Sequence, residues 1–165
     1  MNQIISILVE NNAGALNKIT GLFARRAFNI ESLSVGVTED KSVSRITMIV
    51  DSGNNAAEQV EKQLNKLIDV IKVKDFSPEE IISRELALIK ISANPKTRSE
   101  ISELVTLAGG KICDISRNSL TAEICDTTDR VENFLELCRP YGLKSAVRTG
   151  AIATEKGSGS LSVGE

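Results

Sequence analysis

The sequence predicts an α+β chain in which one order of elements, β-α-β-β-α-β, is written twice. Three observations predict it. Apolar residues alternate in short runs, other apolar residues recur at helical spacing between those runs, and the succession restarts after a proline-marked connector at residues 77–83. The 165 residues are 41% hydrophobic, enough to fill modest cores in one or two small domains.

In the first half, Ile5, Ile7 and Val9 alternate as a strand, and Leu16, Ile19, Phe23 and Ala27 then recur on one helical face. Arg25 and Arg26 suit the negative end of that helix. Leu33, Val35 and Val37 alternate with Ser32, Ser34, Gly36 and Thr38. After the polar turn Glu39-Asp40-Lys41, Ile46, Met48 and Val50 alternate again, so this stretch reads as a β-hairpin. Either set of the first run, the apolar or the Ser/Thr/Gly residues, suits the face away from the helices. Ser52-Gly53-Asn54-Asn55 supplies turn and cap chemistry before a helix with Ala56, Val60, Leu64 and Leu67 on one side. Val70 to Phe76 closes the unit as a strand.

Pro78 and the two acids after it interrupt any ladder, which makes residues 77–83 a linker. Leu86 to Ser92 reads as a strand, and Asn94-Pro95 offers a cap followed by proline at the first helical position. Ile101, Leu104, Val105 and Ala108 form a stripe that stops at Gly109-Gly110. Ile112 to Ile115 and Leu120 to Cys125 make a hairpin around Arg117-Asn118-Ser119. Thr127-Thr128-Asp129 precedes Val131, Phe134, Leu135 and Cys138 at helical spacing, and Pro140 and Gly142 end that helix. Leu143, Ser145 and Val147 alternate as the last strand.

Two such units imply two tandem ferredoxin-like sandwiches, each a four-stranded antiparallel sheet with both helices on one face and the other face uncovered. The expected organisation is a first domain over residues 1–76, the linker 77–83, a second domain over 84–153 and a flexible tail over 154–165. The Gly and Ser of that tail leave too little apolar surface to pack. Sheet edges and open faces in units this small favour pairing with another copy, so a homodimer is the expected minimum.

Composition narrows the chemistry. The chain contains no histidine, which excludes imidazole general-base catalysis, Cys-His nucleophiles and His-based metal sites. Cys113, Cys125 and Cys138 form no C-x-x-C pair, and each falls in an apolar pattern, so they read as buried reduced thiols. Twenty Lys and Arg against 22 Asp and Glu give a net charge of −2, and aromatics are 3% of the chain. Neither a phosphate-binding footprint nor a base-stacking platform is present, so no nucleic acid is expected as partner. Without a basic leader or an apolar run long enough to span a bilayer, the expectation is a cytoplasmic protein with no membrane partner.

The candidate site is the junction where the first strand breaks into Asn11-Asn12-Ala13-Gly14 and restarts as a helix. A helix start presents unpaired N–H groups and the positive end of a dipole, and Gly14 has no side chain to block a ligand. That junction suits a small carboxylate. Asn11 and Asn12 also fit a plain turn and cap, and Gly14 a purely local role.

The segments Asn11-x-x-Gly14-Ala15-Leu16-x-x-Ile19, Gly21-Leu22-Phe23 and Phe28-Asn29-Ile30-Glu31-Ser32-Leu33 resemble the amino-terminal ACT domain of acetolactate synthase small subunits. The resemblance continues through Ser44-Arg45-Ile46-Thr47, Gln63-Leu64, Leu67, Asp69-Val70, Arg84-Glu85-Leu86 and Arg148-Thr149-Gly150, covering residues 1 to 153. It implies a non-catalytic regulatory subunit. The partner is then the large catalytic subunit, which carries thiamine diphosphate, Mg²⁺ and FAD, none of them expected on this chain. The implied role is to raise that enzyme's activity and to confer feedback inhibition by valine or another branched-chain amino acid.

The resemblance assigns the effector to Asn11, Gly14, Ala15 and Leu16 of one subunit and Asn29 and Ile30 of a neighbouring one. The Asn11 carbonyl oxygen would accept from the ligand's ammonium, and the amides around Gly14, Ala15 and Leu16 would receive its carboxylate. Leu16 and Ile30 fit apolar walls and core stripes alike. Ala27 stands where family members commonly have glycine, and Ala153-Thr154-Glu155 stands where they often carry an arginine-glycine pair.

Three other readings use the same fold. A stand-alone ACT protein would sense an amino acid and regulate another enzyme or transcription. A DNA-reading regulator would need a helix-turn-helix segment or a basic face. An acylphosphatase-like hydrolase would need an arginine in the loop after the first strand, and residues 10–15 contain none.

Overall fold

In the computed structural model, which describes residues 2–51 and 56–163, the β-α-β-β-α-β order occurs twice and a ninth strand follows. By internal contacts the chain divides into two units, Met1–Ile82 with Ala151–Glu165, and Ser83–Gly150.

The first unit contains β1 (Asn2–Glu10), α1 (Ala15–Arg25), β2 (Asn29–Val37), β3 (Val43–Asp51), α2 (Ala56–Leu64) and β4 (Val70–Phe76). Its sheet has the order β2-β3-β1-β4, antiparallel at each pairing. Ile5, Ile7 and Val9 of β1 pack with Ile46, Met48 and Val50 of β3 against Ile19, Leu22 and Phe23 of α1 and Val60 and Leu64 of α2. Ser52–Asn55, expected as turn and cap, lie outside the described residues. α2 stops at Leu64, short of Leu67, which still packs on this core from the turn that follows.

β2 settles which of its sets faces the helices. Its register slips between Ile30 and Ser32, after which Leu33 lies opposite Met48 and Val35 opposite Ile46, on the helix side. The bulge puts Ile30 and Leu33 on one face despite their odd spacing, while Ser32, Ser34 and Gly36 take the other. Ala27 departs from the expected stripe. α1 ends at Arg25, and Ala27 sits beyond it with φ +55°, a left-handed conformation that lets the chain turn into β2.

β5 (Ile81–Ser92) begins in the first unit, and from Ser83 onward it belongs to the second, which also contains α3 (Arg98–Leu107), β6 (Lys111–Ile115), β7 (Ser119–Asp126), α4 (Thr128–Gly142) and β8 (Leu143–Arg148). Its strands follow the order β6-β7-β5-β8. Ala87, Ile89 and Ile91 of β5, with Leu120, Ala122 and Ile124 of β7, pack against Ile101 and Val105 of α3 and Val131, Phe134, Leu135 and Cys138 of α4. Asn94-Pro95 does not start α3. Asn94 Oδ1 instead accepts the Lys96 and Thr97 N–H groups in a turn before the helix begins at Arg98. Pro140 does not end α4 either; it sits inside the last turn, and the helix runs on to Gly142. After α3, Gly110 passes so near β7 that a Cβ there would lie 2.8 Å from the Glu123 carbonyl oxygen, which requires glycine. Opening and closing strands are joined by Arg148, whose guanidinium holds Glu85, 3% exposed, and also Glu132 at 2.8 Å. Glu85 in turn holds that guanidinium in its charged form.

The expected linker is shorter than residues 77–83. A single 3-10 turn, Pro78–Glu80, precedes β5, which already includes Ile81 to Ser83. The cysteines need correction as well: Cys138 is buried, but Cys113 and Cys125 are exposed. Cys125 lies opposite Leu86 on the sheet face away from α3 and α4, and Cys113 falls in the register slip between Ile112 and Asp114. Apolar alternation there marks a sheet position without marking burial.

The carboxy-terminal residues overturn three expectations: a second domain reaching residue 153, since Ala151 onward belongs to the first unit, a flexible tail over 154–165, and an uncovered first sheet. β9 (Ile152–Glu155) pairs with β5, and the Lys156 N–H donates to Glu80 O at 2.8 Å. The Ala151 N–H donates to Ser32 Oγ at 2.9 Å, Ala153 packs with Ile4, Phe76 and Ile81, and Glu155 pairs with Lys74. Leu161 then packs against Leu8 and Val43. Ser6, Leu8 and Thr47, on the face opposite the helices, are buried, Leu8 by Leu161. A single leucine and two alanines in a Gly/Ser-rich stretch give no periodicity, so local sequence misses this cover.

Candidate functional site

β1 leaves the sheet at Glu10, and the chain reaches α1 through Asn11–Gly14. Two neighbours fix where this loop starts. On one side the Asn11 N–H donates to Ser42 O at 2.7 Å and Asn11 Nδ2 to Lys41 O at 3.0 Å. On the other, the Glu10 N–H donates to Asp69 O at 2.8 Å, while the Asp69 carboxylate pairs with the Lys18 ammonium of α1. The loop is clamped between the turn before β3 and the turn before β4.

The turn that carries Lys41 has its own lock. Asp40 Oδ1 accepts from the Ser42 N–H at 2.8 Å and the Ser42 hydroxyl at 2.6 Å. These bonds, the hydroxyl first, hold the Asp40 carboxyl below the usual aspartate range because they favour the charged form.

Gly14 takes the N-cap position with φ +89°, and no side chain caps α1. The Ala15 N–H reaches Asn12 O at 3.3 Å, a long bond, and Asn12 Nδ2 is committed to Glu10 Oε2 at 2.8 Å. A Cβ built on Gly14 would meet nothing within 4 Å, so the space above the helix start is open. Because Asn11 spends its Nδ2 on a carbonyl, its Oδ1 is the amide atom left as an acceptor. The junction therefore combines N–H donors with a carbonyl acceptor, the two needs of a zwitterionic amino acid.

Asn11, Gly14, Ala15 and Leu16 come together here. The Ala15 side chain is buried, so that residue contributes backbone alone. Leu16 is 40% exposed, off the core stripe expected for it and beside the open helix start. Asn29 and Ile30 lie elsewhere. Asn29 is opposite Asp51, which is opposite Asn2, whereas the loop follows Glu10 at the other end of β1. Eight strand steps separate those rows, about 26 Å. Asn29 is exposed and Ile30 packs against the helix-side core. Sequence reasoning missed the clamps from Lys41, Ser42 and Asp69, which are long-range backbone contacts with no local signal beyond turn composition.

Comparison with known proteins gives two successive matches, the second of which extends into the carboxy-terminal residues that pack with the first unit. The family described as AHAS small subunit-like ACT domain matches residues 5–72, and the family described as small subunit of acetolactate synthase matches residues 84–157. The acetolactate synthase small subunit of Bacillus subtilis (strain 168) is 45% identical over 159 residues, 96% of this chain and 92% of that protein. The probable acetolactate synthase small subunit of Archaeoglobus fulgidus is 46% identical over 158 residues, 96% of this chain and 99% of its own length. The crystal structure of the acetolactate synthase small subunit from Thermotoga maritima matches with a TM-score of 0.88 at 37% identity, over 96% of this chain and 99% of that one. With a twofold ACT-like architecture and near-complete relatives on both counts, the chain belongs to the acetolactate synthase small-subunit family.

Proposed function

We propose that this chain activates the thiamine-diphosphate-dependent large subunit of acetolactate synthase and makes it subject to feedback inhibition by valine or a related branched-chain amino acid. The observation that carries the reading is the uncapped start of α1 beside open space, with the Asn11 amide turned to leave its oxygen available. An α-carboxylate suits the helix amides, an ammonium suits Asn11 Oδ1, and the exposed Leu16 offers an apolar wall for a branched side chain.

The separation of Asn29 and Ile30 from the loop supports a homodimer through the first unit. β2 is an edge strand, and antiparallel pairing of two such edges sets one copy's strand start beside the other's opposite end. A neighbour's Asn29 and Ile30 then close the far side of each pocket. A ligand bridging two subunits favours one dimer arrangement, which is the physical means of regulation. Sensing near millimolar concentration requires about 4 kcal/mol of binding, and switching about 1–3 kcal/mol of coupling.

Thiamine diphosphate, Mg²⁺ and FAD belong to the large subunit in this reading, and the assembly works in the cytoplasm. No described helix is long and apolar enough to cross a membrane. The test is reconstitution: the chain is added to its acetolactate synthase large subunit and activity is followed with and without valine, leucine and isoleucine. Activation together with inhibition by at least one of them supports the assignment; no change in the large subunit's activity contradicts it.

A further inference from the structure

The carboxy-terminal cover of the first sheet is anchored at two places. Ala151 to Glu155 form the first, and Leu161 the second, while Lys156 to Ser160 between them are exposed and include Gly157 and Gly159. The second anchor is one side chain, 4% exposed, seated against Leu8 and Val43, with Arg45 donating to the Leu161 carbonyl oxygen. Leu8 and Arg45 are directly opposite in register, and Val43 lies opposite Glu10, so Leu161 sits at the loop end of the sheet.

Val43 closes the turn that holds Asn11. Its N–H donates to Asp40 O at 3.0 Å, and its carbonyl accepts the Thr38 N–H at 2.9 Å. The two carbonyls just before it, Ser42 O and Lys41 O, are those that take the Asn11 backbone and side-chain N–H groups. A short path of contacts thus runs from Leu161 through Val43 and this turn to the Asn11 amide, whose nitrogen is committed to the turn and whose oxygen is left as an acceptor. Ser6 Oγ, Arg45 Nε and Glu155 Oε2 are buried on this side of the first unit without a hydrogen-bond partner, a cost that the helix-side core, built of apolar side chains, avoids.

We propose that Leu161 is a positioning residue for the Asn11 loop: seated on Val43, it holds the turn that orients the Asn11 amide, and unseating it loosens the amino-acid pocket. The consequence for ligand affinity rests on the function proposed above; the consequence for the loop does not.

The experiment measures amide hydrogen exchange by NMR in the full, ligand-free chain, comparing Leu161→Ser and Leu161→Met with the parent. Exchange at the Asn11 and Val43 N–H groups rises about tenfold in Leu161→Ser, while Ile5 and Val50, farther along the same sheet from the loop, keep their protection. Leu161→Met, which refills the notch with an unbranched apolar chain, restores protection at Asn11 and Val43. No change at those two amides, an equal rise at Ile5 and Val50, or failure of methionine to restore protection overturns the proposal. Calorimetry with valine adds a second reading, with affinity for Leu161→Ser about fivefold weaker than the parent. A parent chain that binds no valine defeats the pocket assignment and leaves the exchange result to decide the role of Leu161. Normal valine binding with flat exchange defeats the positioning role alone.

Discussion

Asn11 donates its side-chain amide to the carbonyl oxygen of Lys41 at 3.0 Å, across a sequence gap of 30 residues. The bond ties the loop after the first strand to the turn before the third, and it uses the amide nitrogen, leaving the oxygen as the acceptor. A ligand-binding role for Asn11 therefore depends on the Glu39–Ser42 turn as much as on its own loop.

Replacing Gly14 tests the helix start. Its φ of +89° strains any L side chain by about 1–2 kcal/mol, yet a Cβ there meets nothing within 4 Å, so a folded variant is expected. Gly14→Val places a branched side chain where the carboxylate would approach. Activation of the large subunit should survive and valine inhibition should vanish, read from activity against valine concentration.

Ala27 carries strain that glycine would remove. At φ +55° an alanine costs about 1–2 kcal/mol relative to its preferred region, while glycine gives back about 0.5–1 kcal/mol in unfolded-chain entropy. Ala27→Gly should be more stable by about 0.5–1 kcal/mol, measured as a higher denaturant midpoint at unchanged slope.

The three thiols should separate by accessibility. Cys113 and Cys125 are exposed, whereas Cys138 is buried and burial pushes its thiol up to about 11. A thiol-specific chromophore at neutral pH should label Cys113 and Cys125 in the native chain and Cys138 only after unfolding, as read by peptide mass.

Acid should loosen the turn that holds Asn11. The Asp40 carboxyl is depressed in the folded chain by the Ser42 hydroxyl and N–H, so its contribution is complete above the ordinary aspartate value of about 3.9 and is lost as pH falls through the lowered folded value. An NMR titration should place the Asp40 midpoint below about 3.9, and Ser42→Ala should move it upward.

Much of this architecture is legible in the residues. Alternation in Ile5, Ile7 and Val9 and helical spacing in Ile19 and Phe23 mark the first core, because both patterns follow from burial on one face. The last strand of the first unit runs Val70–Phe76, as its apolar run and flanking residues indicate. What escapes the sequence is long-range. The slip between Ile30 and Ser32 decides the facing of β2, and only its pairing with β3 reveals it. Leu161 lies in a run that carries no period, so its seat on Leu8 and Val43 is a long-range contact that local sequence does not mark. The same holds for the site: Asn11 and Gly14 stand out locally, but the carbonyls that orient Asn11 come from residues 41 and 42.

The most direct test is a crystal structure of the chain with valine bound. The valine carboxylate should lie on the amides at the start of α1, its ammonium at Asn11 Oδ1, and Asn29 and Ile30 of a second copy across the ligand. Valine bound elsewhere, or that crevice empty at saturating valine, would contradict this placement.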